Sequence, residues 1–197
     1  GDASLGCGHC EAVCPTGAVR VAALSPEAVS FRTLRPDPSW LPFGAFDADA
    51  LVRLMASRRS CRRYLDTPVD PAVLEDLVRA GVTAPSGTNS QKWPFTILPR
   101  PVDVRAFGER VGRFFERLNR TAEKRWLRGL LRLAGRPALD SYYREYYATV
   151  QTALAEYRAS GIDRLFHDAP AAILVGSGPG ASCPAEDALL ATQNILL

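Results

Sequence analysis

The sequence predicts an α+β fold in which helices dominate and strands are few and separated. Apolar residues recur at helical spacing over several long stretches, and only two short runs, 93–98 and 171–175, are typical of strands. With 197 residues, 47% hydrophobic and 23% charged, the chain has the size and composition of a globular domain with a small addition. Its net charge of +3 is weak and says little about partners. We expect no nucleic-acid partner. No stretch approaches the run of about 18–20 apolar residues that a membrane span needs.

Capping residues mark where the predicted helices begin. Asp47 is suited to cap one helix, and Asp70 followed by Pro71 is suited to begin the next. The predicted elements are helices over 48–57, 71–81, 102–160 with a break near 135–137, and 184–197, and strands over 93–98 and 171–175. Because the chain starts abruptly at Gly1 and stops within an apolar helical pattern at Leu197, we expect it to be cut from a longer polypeptide.

Three of the five cysteines lie within eight residues near the N-terminus. The run Cys7-x2-Cys10-x3-Cys14-Pro15 matches three quarters of the bacterial C-x2-C-x2-C-x3-C-P motif. The segment therefore resembles a ferredoxin, which implies a 4Fe-4S iron–sulfur cluster with Cys7, Cys10 and Cys14 as ligands. Ser4 occupies the first ligand position, and a serine oxygen is a poor substitute for a thiolate. The alternatives are a zinc site or a vestigial motif with free thiols.

A cluster of four arginines follows the first predicted helix. Arg58, Arg59, Arg62 and Arg63 surround the hydroxyl of Ser60. Guanidinium groups and a hydroxyl suit phosphate oxygens, and an anion would neutralise charges that otherwise repel one another. The alternative is a solvated basic helix end, which the helix dipole favours.

The loop over 84–93 carries small residues, one glycine and two carboxamides. Asn89 and Gln91 can each donate and accept hydrogen bonds, as the polar edge of a flavin ring requires. Pro-Ser-Gly and Asn-Ser are also ordinary turn sequences, so a simple turn is the alternative.

Together, R-R-S-x-R and A-P-S-x-x-N-x-Q-x-W resemble motifs of the nitroreductase family of FMN enzymes, from about Asp47 to Leu197. The resemblance implies a three-layer α+β fold with a central mixed sheet flanked by helices, preceded by a small ferredoxin-like segment. It also implies a homodimer with 186–194 as its central helix, and a C-terminal part absent from this chain. By that resemblance, FMN is bound by Arg58, Arg59, Ser60 and Arg62 at the phosphate, and by Ser86, Asn89 and Gln91 at the ring and ribityl side.

These observations predict three segments: a partial ferredoxin-type segment over 1–22, a linker over 23–46, and an FMN-binding domain over 47–197. The resemblance implies an oxidoreductase that takes electrons from NAD(P)H or an iron–sulfur donor and reduces nitroaromatic, quinone or similar small-molecule acceptors. We expect no indispensable catalytic side chain, because the flavin carries the chemistry. The alternatives are a non-enzymatic flavin or iron–sulfur redox-sensing or metal-binding module, and a flavin-destroying or dehalogenating member of the same superfamily. Clustered cysteines without an export signal predict a reducing cytoplasmic location.

Positive charge is concentrated in the helical stretch 110–132, which also contains Phe114, Phe115 and Trp126. We expect a solvated basic face with an aromatic stripe in the core. The alternative is a surface that docks an acidic redox partner or a membrane.

Overall fold

The computed structural model describes residues 4–16, 18–22, 30–37, 41–42 and 44–197. The described chain contains helices α1 (His9–Ala12), α2 (Ala48–Ser57), α3 (Pro71–Val82), α4 (Pro101–Ala122), α5 (Arg125–Leu133), α6 (Ala138–Glu145), α7 (Tyr147–Ser160) and α8 (Pro184–Leu196), and strands β1 (Phe95–Leu98) and β2 (Ala172–Val175). The predicted α+β class is confirmed. Within the described ranges, no helix combines the length and apolarity that crossing a membrane requires.

The chain divides into two compact units that alternate along the sequence. The first unit contains residues 1–60, 69–98 and 173–197, and the second contains 61–68 and 99–172. The division into segments 1–22, 23–46 and 47–197 stays a prediction, and residues 23–29, 38–40 and 43 of the predicted linker lie outside the described residues.

Helix starts follow the predicted caps. The Asp47 carboxylate accepts a hydrogen bond from the Ala50 N–H at 3.0 Å, and the Asp70 carboxylate accepts one from the Ala72 N–H at 2.8 Å. Each carboxylate satisfies an N–H group that has no partner within its own helix, which explains why α2 and α3 begin where they do.

The core of the first unit forms where α3 packs against α8. Gly81 allows a close approach, since a Cβ atom there would lie 3.0 Å from the Ile195 side chain and 3.1 Å from the Phe95 side chain. Ala84, Trp93 and Ala191 form the buried centre beside this contact. A residue without a side chain at position 81 thus lets two distant helices share one core.

The described sheet consists of β1 and β2. Its pairing continues beyond the strands, because the N–H groups of Gly176 and Gly178 donate to the carbonyls of Pro94 and Lys92. Residue numbers rise on one strand as they fall on the other, so the strands are antiparallel. Within the described residues, the sheet that the sequence predicts at the centre of the fold therefore has two strands, β1 and β2.

Asp76 on α3 fixes the segment 30–37 to the first unit. Its carboxylate is 3% exposed and accepts hydrogen bonds from the N–H groups of Arg32 and Thr33 and from the Thr33 hydroxyl, at 2.5–3.0 Å. Arg79 adds an ion pair at 3.2 Å. Burial alone raises the pKa of Asp76, but the hydrogen bonds from Thr33 and Arg32 outweigh it and hold the pKa well below its usual range.

In the second unit, α4 packs against α5, α6 and α7. Buried Asn119 of α4 joins two of these helices, since it donates to Gln151 of α7 and accepts from the Tyr142 hydroxyl of α6. Burial raises the pKa of Tyr142, which keeps the hydroxyl protonated and able to donate. One polar side chain therefore fixes the order of three helices.

The expected aromatic stripe in the core is wrong for Phe114 and Trp126, which are 52% and 69% exposed. Helix α5 is held from its other side, where Arg128 lies 3.6 Å from the Tyr143 ring centroid. Phe115 is half-buried and stacks on Tyr142 at 6.4 Å. The helical period identified the apolar faces, but it did not show which of them meets a neighbour.

Replacing Asp76 by Asn should make stability less dependent on acid. The folded pKa lies below the unfolded value of about 3.9, so its contribution is complete above that pH and is lost as pH falls toward the folded pKa. Urea unfolding at several pH values between 7 and 3 should show lower stability for Asp76→Asn at pH 7 and a smaller loss at pH 3. Asp103→Asn is the control, because its exposed partner Arg100 is screened by solvent. Equal pH profiles for wild type and Asp76→Asn would contradict the assignment.

Candidate functional site

The predicted cofactor loop has an uncommon backbone. After Ser86, a 3₁₀ turn spans Gly87–Asn89, and φ is 50° at Thr88, 54° at Asn89 and 49° at Gln91. Non-glycine residues rarely adopt this left-handed region, and a β-branched residue such as Thr88 does so least readily. Such conformations cost about 1–3 kcal/mol each and persist only where surrounding contacts impose them, most often at functional sites.

The three predicted ligands of this loop lie together. The Ser86 hydroxyl accepts a hydrogen bond from the Gln91 backbone N–H at 2.9 Å, and the Gln91 side-chain amide donates to the side-chain oxygen Oδ1 of Asn89 at 3.2 Å. The Asn89 amide donates to the backbone carbonyl of Leu5 at 2.9 Å. The structure thus brings Ser86, Asn89 and Gln91 into one polar cluster, and it places the cysteine-containing segment against that cluster.

Asp187, in the first turn of α8, holds the loop in place. Its carboxylate is 3% exposed and accepts hydrogen bonds from the Gly87 N–H at 2.8 Å and the Ser90 hydroxyl at 3.4 Å. The loop approaches α8 so closely that a Cβ atom at Gly87 would lie 2.8 Å from the Cys183 sulfur. Sequence reasoning missed this residue, because an acid in the first turn of a helix is explained equally well by the helix dipole.

The predicted phosphate ligands occupy the extended segment after α2. The Arg59 guanidinium donates to the carbonyls of Ala56 and Arg58, so it satisfies the exposed end of α2. Arg58 and Ser60 are exposed, and their side chains have no hydrogen-bond partner among the described residues. Arg62 is also exposed and belongs to the second unit. The helix-end alternative therefore applies to Arg59, whereas Arg58 and Ser60 keep donors for another group.

The donor set of the first unit fits a phosphorylated flavin. Arg58, Arg59 and Ser60 supply cationic and hydroxyl donors suited to a phosphate. Asn89 and Gln91 supply carboxamides that both donate and accept, as the polar edge of the ring requires. The chemical character of each predicted ligand is thus appropriate to its predicted part of FMN.

The three predicted cluster ligands do not converge. Cys7 and Cys10 are exposed, Cys14 is half-buried, and all three are free thiols. Across the described ranges, no three side chains of His, Cys, Asp or Glu come close enough to hold a metal ion. A hydrogen bond with the Thr16 hydroxyl, helped by backbone N–H groups, lowers the pKa of the Cys14 thiol to about 7. This arrangement of the described thiols does not fit an iron–sulfur cluster.

The second unit contains a cavity of about 1110 Å³ that the sequence did not predict. Its walls include Gly108 of α4 and Leu154 of α7, together with the loop over 163–168. Asp163 shapes this loop by accepting hydrogen bonds from the N–H groups of Leu165 and Phe166 at 2.8 and 3.0 Å. The cavity is large enough for a small molecule.

Known sequences connect this chain to one family. The sequence model described as the nitroreductase family matches residues 55–197. Iodotyrosine deiodinase of Drosophila melanogaster is 38% identical over 65 residues, which cover 32% of this chain and 23% of that protein. The matched segment thus spans less than a quarter of the length of this curated relative.

Solved structures with similar backbones include three flavoproteins. An FMN-bound nitroreductase from Bacteroides fragilis has a TM-score of 0.46 and 18% identity, covering 74% of this chain and 62% of its own. Iodotyrosine deiodinase bound to FMN and 3-iodo-L-tyrosine has a TM-score of 0.46 and 23% identity, covering 74% and 66%. A BluB-like flavoprotein from Clostridium difficile has a TM-score of 0.44 and 16% identity, covering 74% and 67%.

Replacing Asp187 by Ala should destabilise the first unit by about 1–3 kcal/mol, because the half-buried Gly87 N–H loses its acceptor. Chemical denaturation measures the loss, and proteolysis near residue 88 should become faster. Asp187→Asn keeps an acceptor oxygen and should lose less. Glu186→Ala removes the neighbouring exposed acid and should cost no more than about 1 kcal/mol through the helix dipole. Equal losses at positions 186 and 187 would show that the loop does not depend on Asp187.

Proposed function

The chain belongs to the nitroreductase family, and from that membership we propose that it is an FMN-dependent oxidoreductase. Electrons pass from a reduced nicotinamide, NADH or NADPH, through the flavin to a nitroaromatic, quinone or similar small-molecule acceptor. The supporting observation is Arg58, which is exposed, has no carboxylate partner among the described residues and is two residues from Ser60, whose exposed hydroxyl has no hydrogen-bond partner there either. A charged group and a hydroxyl left without partners at one point of the chain suit a bound phosphate.

When bound, FMN supplies the electron transfer, and the residues of this chain supply position and charge. Arg58 and Ser60 of the first unit would bind the phosphate, with Arg59 contributing through its backbone or side chain, and the role of Arg62 stays a prediction from the sequence. Ser86, Asn89 and Gln91 bind the ring and ribityl side. Their loop is kept in its left-handed conformation by Asp187, so the loop is already shaped before the cofactor arrives. No side-chain acid or base is assigned.

The proposal also covers the electron donor, the cellular location and the oligomeric state. A reduced nicotinamide suits the chain better than an iron–sulfur donor of its own, because the thiols of Cys7, Cys10 and Cys14 are not arranged around a common point. We place the protein in the cytoplasm, where five free thiols are stable. We also propose a homodimer, since α2 exposes Leu51, Leu54 and Met55 on one face.

A second candidate function is reductive dehalogenation of a halogenated phenol. It is favoured by the sequence match to iodotyrosine deiodinase over 65 residues. The test uses reduced protein loaded with FMN, incubated without oxygen with either a halogenated phenol or a nitroaromatic. Halide should be released from the halogenated phenol only if the protein is a dehalogenase. We expect the nitroaromatic to be reduced faster, as judged by chromatography of the products. Faster halide release would replace the first proposal by the second.

Arg58→Ala and Asn89→Ala should each weaken FMN binding by about tenfold or more, the effect of losing one hydrogen bond to a charged or buried group. Flavin fluorescence quenching during titration measures the dissociation constant, and visible absorption measures the FMN retained after purification. Both readouts are independent of catalysis.

Arg110→Ala removes the same charge from an exposed position on α4 and should leave FMN binding unchanged. If both site variants retain FMN as the wild type does, the assignment of these residues is wrong. If the wild-type protein is colourless and ignores added FMN, a non-enzymatic role replaces the proposed function.

A further inference from the structure

Helix α5 has an apolar face that no part of the described chain covers. Trp126, Leu130 and Leu133 lie at helical positions i, i+4 and i+7, and their exposed fractions are 69%, 56% and 87%. Burying side chains of this size removes a substantial apolar area from water. Exposed singly they would be unremarkable, but aligned on one helix they form a contiguous surface.

The opposite side of α5 is firmly attached, so this exposure is not the result of a loose helix. Arg128 packs over the Tyr143 ring, lies 3.3 Å from the Asp140 carboxylate and donates to the Ala122 carbonyl. Leu127 and Leu131 are half-buried on the same side. The outward orientation of Trp126 and its neighbours is therefore built into the fold of the second unit.

Every charged residue between positions 124 and 139 is positive. Lys124, Arg125 and Arg136 are exposed and have no carboxylate within ion-pair distance among the described residues. The nearby acids are already engaged, since Asp140 pairs with Arg128 and Glu123 accepts a hydrogen bond from Tyr147. An apolar face bordered by cations is characteristic of helices that lie in the interface of an anionic bilayer.

The end of α5 is also suited to a flat surface. Residues 132–138 are all exposed, and they include Leu133, Ala134, Pro137 and Ala138. A tryptophan at one end of such a face has a ring that favours the boundary between lipid headgroups and acyl chains. Arginine and lysine stems can lie along apolar surface while their charges reach the headgroups.

Self-association through this face is disfavoured by the same charges. In a two-fold symmetric contact the same patch meets itself, so Lys124, Arg125 and Arg136 would approach their own copies. Like charges at such a contact oppose binding, whereas anionic headgroups would neutralise them. Charge complementarity thus favours lipid over a second copy of the chain.

We propose that α5 is an interfacial anchor that binds the surface of an anionic lipid bilayer, with Trp126, Leu130 and Leu133 inserted at headgroup level and Lys124, Arg125 and Arg136 contacting lipid phosphates or carboxylates. The helix lies on the membrane and does not cross it. Because nine residues bury little area, binding is weak and reversible and decreases with salt.

The test is co-sedimentation of the full chain with two kinds of vesicle. One contains phosphatidylcholine with about 30% phosphatidylserine, and the other contains phosphatidylcholine alone. We expect binding to the anionic vesicles only. Leu130→Gln with Leu133→Gln should weaken it about tenfold, and Arg125→Gln with Arg136→Gln should weaken it to a similar degree. Val102→Gln, which removes an exposed apolar side chain from α4, should have no effect.

Tryptophan fluorescence separates insertion from simple adsorption. On addition of anionic vesicles the emission should shift to shorter wavelength, and Trp126→Phe should bind within about twofold of wild type without that shift. Because Leu133 is 87% exposed, its substitution leaves the packing intact, and circular dichroism verifies the fold.

Four results would overturn the proposal. The first is equal binding to the two vesicle types, and the second is unchanged binding of the double-leucine variant. The third is a concentration-dependent dimer in lipid-free buffer that the double-leucine variant abolishes, which would make this face a contact between copies. Binding to polyglutamate that depends on the arginine pair but not on the leucines would also overturn it, in favour of an acidic protein partner.

Discussion

The hydrogen bond between the Asp187 carboxylate and the Gly87 N–H is the constraint on which the first unit depends. It joins a loop with three left-handed non-glycine residues to a helix that packs in the core. Left to itself, such a backbone would relax toward more common conformations, at a gain of about 1–3 kcal/mol for each residue. The loop keeps its shape because α8 is already fixed against α3 through the close approach at Gly81. Core packing is thereby transmitted to the polar cluster of Ser86, Asn89 and Gln91.

Acidic and basic residues are used differently in this chain. The buried acids have hydrogen-bond donors inside the fold: Asp76 accepts from two backbone N–H groups, and Asp187 accepts from one backbone N–H and one hydroxyl, so their negative charges are stabilised away from water. Many arginines, by contrast, are exposed and without a carboxylate, as at Arg58 and Arg125. The weak net charge of +3 therefore understates how much unpaired positive charge the surface carries. This asymmetry explains why both proposed ligands, a flavin phosphate and an anionic lipid, are anions although the overall charge is small.

Local features were predictable from the sequence, and features that depend on distant contacts were not. Asp47 and Asp70 act within three residues, so their helix starts could be predicted. Asp187 acts on a loop 100 residues away, and nothing near it in the sequence indicates that role. The exposure of Trp126 depends on which side of α5 meets α6, and helical periodicity does not determine this. The cysteine motif has the spacing of cluster ligands, but convergence of thiols depends on backbone angles that spacing does not fix.

The alternation of the two units has a consequence for how the chain folds. Helix α3 cannot acquire its partner α8 until about 100 further residues have been synthesised, which takes roughly 5–20 seconds at ordinary rates of translation. During that interval Leu74 and Trp93 of the first unit lack the α8 part of their core. Helices α4 to α7 follow one another in the sequence and can associate as they are synthesised. The helical second unit is thus able to form first, and closure of the first unit, with its long-range contacts, is the slow step of folding.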